Sequence, residues 1–96
     1  MIKYLENENI NDLISEGITL VDFYADWCGP CKMLGKVLET LDINIIKINT
    51  DTHQDLAREY GVMSIPTVYI YKDGKEVHKF IGFKSKEEIM QIINNL

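Results

Sequence analysis

The chain has 96 residues, of which 46% are hydrophobic and 26% charged, and its formal net charge is −5. A chain of this length predicts one domain over residues 1–96. Because an acidic surface repels phosphate backbones, we expect no nucleic-acid partner. No apolar run approaches the roughly 18 residues of a membrane helix, and the first residues turn polar too early for a signal peptide. We therefore expect a cytoplasmic protein that has no membrane partner.

The first half of the chain predicts strands that alternate with helices. The elements in order are a strand at 2–5, a helix that ends at Gly17, a strand at 18–25, a helix at 30–41 and a strand at 43–49. Residues 18–25 are β-branched, aromatic and almost continuously apolar, which is typical of a central strand covered on both faces. A strand, crossover helix and strand in this order form a right-handed parallel unit.

The second half predicts a helix, a hairpin and a last helix. The elements are a helix from a Thr52 cap to Tyr60, strands at 67–71 and 76–81, and a helix that begins at Ser85. Asp73-Gly74 between two strand patterns predicts a tight antiparallel hairpin. Ser85 and Glu88 have the spacing of a capping box. The predicted order is β-α-β-α-β-α-β-β-α, an α/β fold with a central mixed sheet and helices on both faces.

The two cysteines of the chain, Cys28 and Cys31, lie where the central strand leads into the next helix. At a helix N-terminus, unpaired N–H groups and the helix dipole stabilise a thiolate, which is the nucleophilic form of cysteine. We therefore predict that Cys28 is the nucleophile. Cys31 follows one turn further in and can attack the Cys28 sulfur. Pro30 suits the first helical turn, and Gly29 leaves the nucleophile open to approach.

Two other interpretations of the cysteine pair are a structural disulfide and a zinc site. A disulfide that closes a four-residue ring stabilises a fold by only about 2 kcal/mol, which makes it a poor cross-link. Zinc would need His53 and His78, which lack the paired spacing of histidine ligands. We expect both histidines to be solvated and no metal to bind, although a zinc ion shared between two copies stays open.

At these residues the chain resembles the thioredoxin family along essentially its whole length. The residues that carry the resemblance are Trp27-Cys28-Gly29-Pro30-Cys31-Lys32, Val21 to Ala25, Lys47, Ile65-Pro66-Thr67, Asp73-Gly74 and Gly82. The resemblance implies a thioredoxin fold and a protein-disulfide reductase that holds no cofactor. It also implies two kinds of partner, a flavin-containing thioredoxin reductase and disulfide-containing target proteins. We expect the protein to be a monomer.

Asp22 and Lys47 are charged residues within apolar strand patterns. A carboxyl group in a low-dielectric site has a raised pKa, which makes it a usable proton acceptor near neutral pH. The resemblance implies that Asp22, helped by Lys47, takes the proton from Cys31. The alternative is that each charge points to solvent at a sheet edge.

The resemblance also implies a shallow substrate-binding patch around the thiols. Its expected members are Trp27, Gly29, Pro30, Ile65, Pro66, Gly82 and Phe83. The family pattern further implies a cis bond between Ile65 and Pro66, packed against the two sulfurs. Without the resemblance, Pro66 is an ordinary strand start and Trp27 an ordinary core residue.

The helix after the cysteines departs from the family, because Gly35-Lys36 stands where a small residue and a proline are usual. Gly35 either adds flexibility or permits a close packing contact. Two further functional hypotheses remain besides a general reductase. One is a binding module that uses the patch without redox chemistry, although such a module would need neither Cys31 nor Asp22. The other is a dedicated regulator of one target protein.

Overall fold

A computed structural model describes all of residues 1–96. It contains five strands and four helices in the predicted order. The strands are β1 (Ile2–Tyr4), β2 (Ile18–Tyr24), β3 (Asn44–Asn49), β4 (Thr67–Lys72) and β5 (Lys75–Ile81). The helices are α1 (Ile10–Leu13), α2 (Gly29–Leu38), α3 (Gln54–Glu59) and α4 (Lys86–Asn94). None of the four helices has the length and apolar character needed to cross a bilayer.

The strands form one mixed sheet in the order β1-β3-β2-β4-β5. β3 pairs in parallel with β1 and with β2, whereas β4 pairs antiparallel with β2 and β5. The predicted parallel unit and the predicted hairpin are both present. β2 lies at the centre of the sheet, as its continuous apolar pattern predicts, and its carboxyl end leads directly to the cysteines.

Helices cover both faces of the sheet, so there are two apolar layers. One face packs against α1 and α3, with a core of Leu5, Ile10, Ile14, Val21, Phe23, Ile46, Ile48, Ala57, Tyr69 and Tyr71. The other packs against α2 and α4, with a core of Leu20, Leu34, Leu38, Leu41, Ile45, Val68, Ile70, Phe80 and Ile89. Successive residues of a strand point to opposite faces, so β2 supplies both cores in alternation.

Helices α1 and α2 are shorter than the sequence predicts. α1 is a single turn that ends at Leu13, because the chain must bend to bring Gly17 to the β4–β5 hairpin, where its N–H donates to Asp73 Oδ1 at 2.8 Å. α2 ends at Leu38 rather than Leu41. The N–H of Leu41 donates to the Leu38 carbonyl in a tighter turn, and this turn still buries the Leu41 side chain.

Thr52 is not the cap of α3, and that prediction was wrong. His53 occupies the N-cap position and makes no capping hydrogen bond through its side chain. Thr52 lies one residue before the cap and belongs to the turn that follows β3. In that turn Asn49 Oδ1 accepts hydrogen bonds from the N–H groups of Asp51 and Thr52. By contrast, the Ser85 capping box of α4 is confirmed in both of its hydrogen bonds.

Candidate active site

Cys28 is the N-cap residue of α2, with the extended backbone that the cap position requires. Its sulfur accepts a hydrogen bond from the Cys31 N–H at 3.2 Å. Pro30 lies in the first turn, where its missing N–H has no intrahelical partner. The two cysteines are joined in a disulfide with their Cα atoms 5.2 Å apart. The sequence therefore correctly predicts that the pair begins this helix.

The two cysteines of the disulfide have different surroundings. Cys28 Sγ lies 3.8 Å from the backbone carbonyl oxygen of Ile65. Cys31 instead lines an open cavity of about 350 Å³ on the other side, together with Gly35 and Lys47. Both cysteines are more than nine-tenths buried, so their neighbours rather than their exposure distinguish them.

Asp22 lies in the middle of the sheet and has no access to solvent. The strand register places it beside Lys47 on β3 and beside the apolar Val68 on β4. Lys47 Nζ is 3.4 Å from Asp22 Oδ2, yet neither carboxylate oxygen makes a hydrogen bond with the protein. Burial raises the pKa of Asp22 from 3.8 to about 6, and the positive charge of Lys47 opposes the rise. The edge position left open by the sequence is excluded for both residues.

Tyr24, Tyr4 and Gly35 surround the Lys47 ammonium, and the sequence reasoning assigned no site role to the two tyrosines. Nζ is 4.5 Å from the centre of the Tyr24 ring and 5.9 Å from that of Tyr4. A Cβ at Gly35 would lie 3.3 Å from the same nitrogen. The sequence held one signal that Tyr24 lies near this site. Tyr24 follows Asp22 by two residues in a strand, so the two side chains share one face of the sheet.

The rim of the site on the Cys28 side is formed by loops. Trp27 is 70% exposed, and its Nε1–H donates to Asp51 Oδ2 at 2.9 Å. The Ile65–Pro66 peptide bond is cis, and the Pro66 carbonyl accepts from the Gly82 N–H at 2.8 Å. The adjoining Phe83 is 43% exposed. The Trp27 loop and the Ile65–Pro66 segment thus lie beside the disulfide. Gly82 is positioned by its hydrogen bond to Pro66.

Two residues near this rim were not identified from the sequence. Met63 is 95% exposed, and with Trp27 and Ile65 it lines a second hollow of about 220 Å³. Asp51 fixes the indole ring of Trp27. Neither has a local pattern that would reveal it, because each depends on how separate loops meet in space.

The histidines form no metal site with the cysteines. Nothing in the chain groups three or more His, Cys, Asp or Glu side chains in a way that could hold a metal ion. His53 Nε2 lies 2.7 Å from the Glu6 carbonyl oxygen, and His78 is on the edge strand β5.

Comparisons with known proteins agree with this geometry. The thioredoxin family model matches residues 1–95. The chain belongs to the thioredoxin family. It is 46% identical to thioredoxin from Chlamydia caviae, with 98% of this chain and 97% of that protein aligned. It is 50% identical to thioredoxin from Bacillus subtilis over 83% of each chain.

Solved structures lead to the same family. A mutant thioredoxin from Halobacterium salinarum is 35% identical, with a TM-score of 0.87 over 98% of this chain and 88% of its own. Mitochondrial thioredoxin 3 from Saccharomyces cerevisiae, in oxidized form, is 34% identical, with a TM-score of 0.79 over 91% and 87%. This thioredoxin-family protein is therefore a thiol-disulfide oxidoreductase, which reduces protein disulfides by exchange with the Cys28–Cys31 pair.

Proposed function

We propose that Cys28 attacks the target disulfide and that Cys31 resolves the resulting mixed disulfide. The observation that carries this division is the different surroundings of the two cysteines. Cys28 Sγ lies beside the Ile65 carbonyl on the rim, and Cys31 lines the cavity that also contains Lys47. The helix N-terminus at Cys28 favours its thiolate.

In the first step the Cys28 thiolate attacks one sulfur of the target. The target S–S bond breaks, and its other sulfur leaves as a thiolate that takes up a proton. In the second step Cys31 loses its proton and attacks Cys28 Sγ. The mixed disulfide breaks, the Cys28–Cys31 bond forms, and the second target sulfur leaves. Two electrons have then passed from the protein to the target.

Asp22 is the proton acceptor for Cys31 in this proposal. Its carboxyl group is fully buried, and its pKa of about 6 makes it a base of suitable strength near neutral pH. The Lys47 ammonium, 3.4 Å away, stabilises the carboxylate form. Cys31 and Lys47 line the same cavity, so Cys31 lies on the side of the sheet where Lys47 contacts Asp22.

The rim around Cys28 binds the target segment. Trp27 and Phe83 expose apolar surface, and the Ile65 carbonyl lies next to the reacting sulfur. Apart from its chain neighbours and the backbone of its own helix, no atom lies within 4 Å of the place where a Cβ of Gly29 would be, so with Pro30 it leaves the approach to Cys28 open. An extended segment of the target would then pair with the backbone of Ile65 and Pro66, beside Gly82.

The remaining assignments are supported by the family and by the length and composition of the chain. The reductant is a flavin-containing thioredoxin reductase, since thioredoxin-family proteins are generally reduced by that enzyme. The protein acts in the cytoplasm as a monomer, with residues 1–96 as a single domain. The reaction proposed here involves no metal and no bound cofactor.

Mixed-disulfide trapping tests the division between the two cysteines. We expect the Cys31→Ser variant to accumulate covalent adducts with disulfide-containing proteins, because attack succeeds and resolution fails. The matched Cys28→Ser variant should trap almost none. Equal trapping by the two variants would contradict the assignment, and no trapping together with no reduction of insulin by the wild type would favour a binding module.

Redox equilibration against glutathione provides an independent measurement. Trp27 is the single tryptophan and adjoins Cys28, so its fluorescence reports the state of the disulfide. We expect a potential on the reducing side of the glutathione couple, as for a protein-disulfide reductase. A strongly oxidising potential would show that the protein forms disulfides in its targets instead.

A further inference from the structure

The Lys47 ammonium has a second partner besides Asp22. It lies over the face of the Tyr24 ring, 4.5 Å from the ring centre, and at 5.9 Å from that of Tyr4. The two rings meet edge to face, with centroids 6.1 Å apart. A cation over an aromatic face is attracted by the ring quadrupole, and more strongly where water is excluded. The Lys47 side chain is only 8% exposed, so the contact is largely desolvated.

The strand register creates this arrangement. Tyr4 on β1, Lys47 on β3 and Asp22 on β2 are direct neighbours across three adjacent strands. Tyr24 follows Asp22 by two residues, so it shares the same face of the sheet. Three side chains from the two neighbouring strands therefore converge on the Lys47 ammonium group.

Helix α2 also lies close to the Lys47 ammonium. A Cβ at Gly35 would lie 3.3 Å from Lys47 Nζ, and no other atom outside α2 would come within 4 Å of it. The ammonium thus occupies the space that a larger residue would take. Lys47 is held between the Tyr24 ring and the α2 backbone, with Asp22 at its side.

We propose that Tyr24 is a positioning residue, whose ring holds the Lys47 ammonium beside Asp22 and so sets the pH at which Cys31 can release its proton. The proposal rests on the proposed role of Asp22 as proton acceptor. Without the ring, the flexible lysine side chain can swing through the cavity towards solvent. Asp22 would then lose its single close positive charge and hold its own proton more tightly.

The other charged groups around this site are on the cavity wall. Asp26 follows β2, and Lys32, Lys36 and Glu39 belong to α2 or its C-cap. All four are exposed, so water screens their effect on Asp22. On β4 the neighbour of Asp22 is the apolar Val68. The buried residue of α2 that lines the cavity and can ionise when reduced is Cys31. Lys47 is therefore the dominant charge that Tyr24 can move.

The test measures the protonation of Asp22 directly. The carboxyl carbon shift of Asp22 is followed by NMR from pH 4 to 9 in the oxidised wild type and in Tyr24→Leu, Tyr24→Phe and Lys47→Met. We expect the midpoint to rise by about half a pH unit or more in Tyr24→Leu, a threefold or larger change in proton affinity. Tyr24→Phe, which keeps the ring, should titrate like the wild type. Lys47→Met should raise the midpoint at least as much as Tyr24→Leu.

A double variant separates positioning from a purely structural effect. In Tyr24→Leu/Lys47→Met the midpoint should equal that of Lys47→Met alone, because the ring acts through the lysine. A further rise in the double variant, or an unchanged midpoint in Tyr24→Leu, would overturn the proposal. If Tyr24→Leu does not fold, Tyr24→Met takes its place with the same two criteria.

A kinetic measurement links the titration to the reaction. A thionitrobenzoate group is attached to Cys28, and its release reports attack by Cys31. The pH midpoint of release should rise in Tyr24→Leu by the same amount as the Asp22 midpoint. If release is unaffected while the Asp22 midpoint moves, the proton-acceptor role fails. If both stay at wild-type values and insulin is still reduced, the reductase function stands and the role of Tyr24 fails.

Discussion

Asp22 shows how one buried carboxyl group links stability to chemistry. Its attraction to Lys47 lowers the pKa, but removal of the carboxylate from water raises it more, and the result is about 6. The folded state therefore binds a proton more tightly than the unfolded chain, whose carboxyl has a pKa of 3.8. Protonation of Asp22 therefore stabilises the folded state relative to the unfolded chain. This contribution is fully present below pH 3.8 and is lost as pH rises through about 6.

The first prediction at this scale is that Asp22→Asn is more stable than the wild type at pH 8. The difference between the two pKa values corresponds to about 3 kcal/mol, and the loss of a partner for Lys47 reduces the gain to roughly 1 to 3 kcal/mol. The gain should vanish towards pH 3, where Asp22 is neutral in both states. Urea unfolding of the oxidised proteins at the two pH values measures it.

The same substitution should slow turnover near neutral pH, because Cys31 loses its proton acceptor. Asp42→Asn, at an exposed aspartate, is the control, and its stability should track the wild type at both pH values. An Asp22→Asn protein with wild-type turnover and no added stability at pH 8 would contradict both the burial penalty and the proton-acceptor role.

The second prediction concerns the replacement of Gly35 by alanine, where a gain in helix propensity is weighed against a close contact with the new methyl group. Within α2, Ala is favoured over Gly by about 1 kcal/mol. Outside α2 itself, the atom that a new Cβ would approach, at 3.3 Å, is the terminal nitrogen of the Lys47 side chain. The sequence left open whether Gly35 adds flexibility or permits a close packing contact. The structure shows a close contact, and it is with a side chain. We expect Gly35→Ala to stabilise the protein.

The pH dependence of this gain distinguishes the two effects. At pH 4 Asp22 is protonated and there is no ion pair to disturb, so the full gain of up to about 1 kcal/mol should appear. At pH 8 displacement of Lys47 from the Asp22 carboxylate should make the gain smaller. A lower urea midpoint at pH 4, with an unchanged slope, would show that the helix cannot accept the methyl group.

At the scale of elements, local patterns predicted most of the sheet and the hairpin. The β4–β5 turn has Asp73 and Gly74 at φ values of 51° and 85°, the left-handed conformations that an Asp-Gly hairpin turn uses. The element ends were less predictable. α1 stops early because Gly17 is bound to this hairpin by two hydrogen bonds, and no local pattern carries that contact.

The third prediction concerns the link between the hairpin and Gly17. Asp73 Oδ1 accepts from the Gly17 N–H at 2.8 Å, and the Asp73 N–H donates to the Gly17 carbonyl at 2.9 Å. Asp73→Ala removes the acceptor and places an alanine at positive φ, so we expect a loss of about 1 to 3 kcal/mol. Thermal or urea unfolding measures the loss.

Asp73→Asn is the matched control for this change. Asn keeps an oxygen acceptor and tolerates the left-handed conformation, so most of the stability should remain. The hairpin is at the opposite end of the sheet from Cys28, and insulin reduction should be unchanged in both variants. An equal loss of stability in the two variants would mean that the charge of Asp73, rather than its geometry, stabilises the contact.

At the scale of the whole molecule, stability comes from two apolar cores on either side of one sheet, and the disulfide adds little. The Cys28–Cys31 ring spans four residues, so the oxidised protein should be more stable than the reduced one by only about 2 kcal/mol. Urea unfolding with and without a strong reductant measures this difference. The Cys28→Ser/Cys31→Ser variant should unfold like the reduced protein, and a difference above about 4 kcal/mol would identify the bond as a structural cross-link instead.

The sequence by itself determined the order of elements, the mixed sheet, the position of the cysteine pair at the start of α2 and the family. These features depend on short-range periodicity, caps and turn residues, which are local properties of the chain. The sequence also marked Asp22 and Lys47 as unusual, because charge within an apolar strand is visible without a structure.

Only the tertiary structure decided how the groups around those charges meet. Tyr4, Lys47 and Asp22 are neighbours through strand register, and Gly35 reaches the same ammonium from a helix packed over the sheet. The contact of Asp51 with Trp27 joins two loops that are 24 residues apart. Register and loop packing depend on the whole core finding one arrangement, so no window of neighbouring residues contains them.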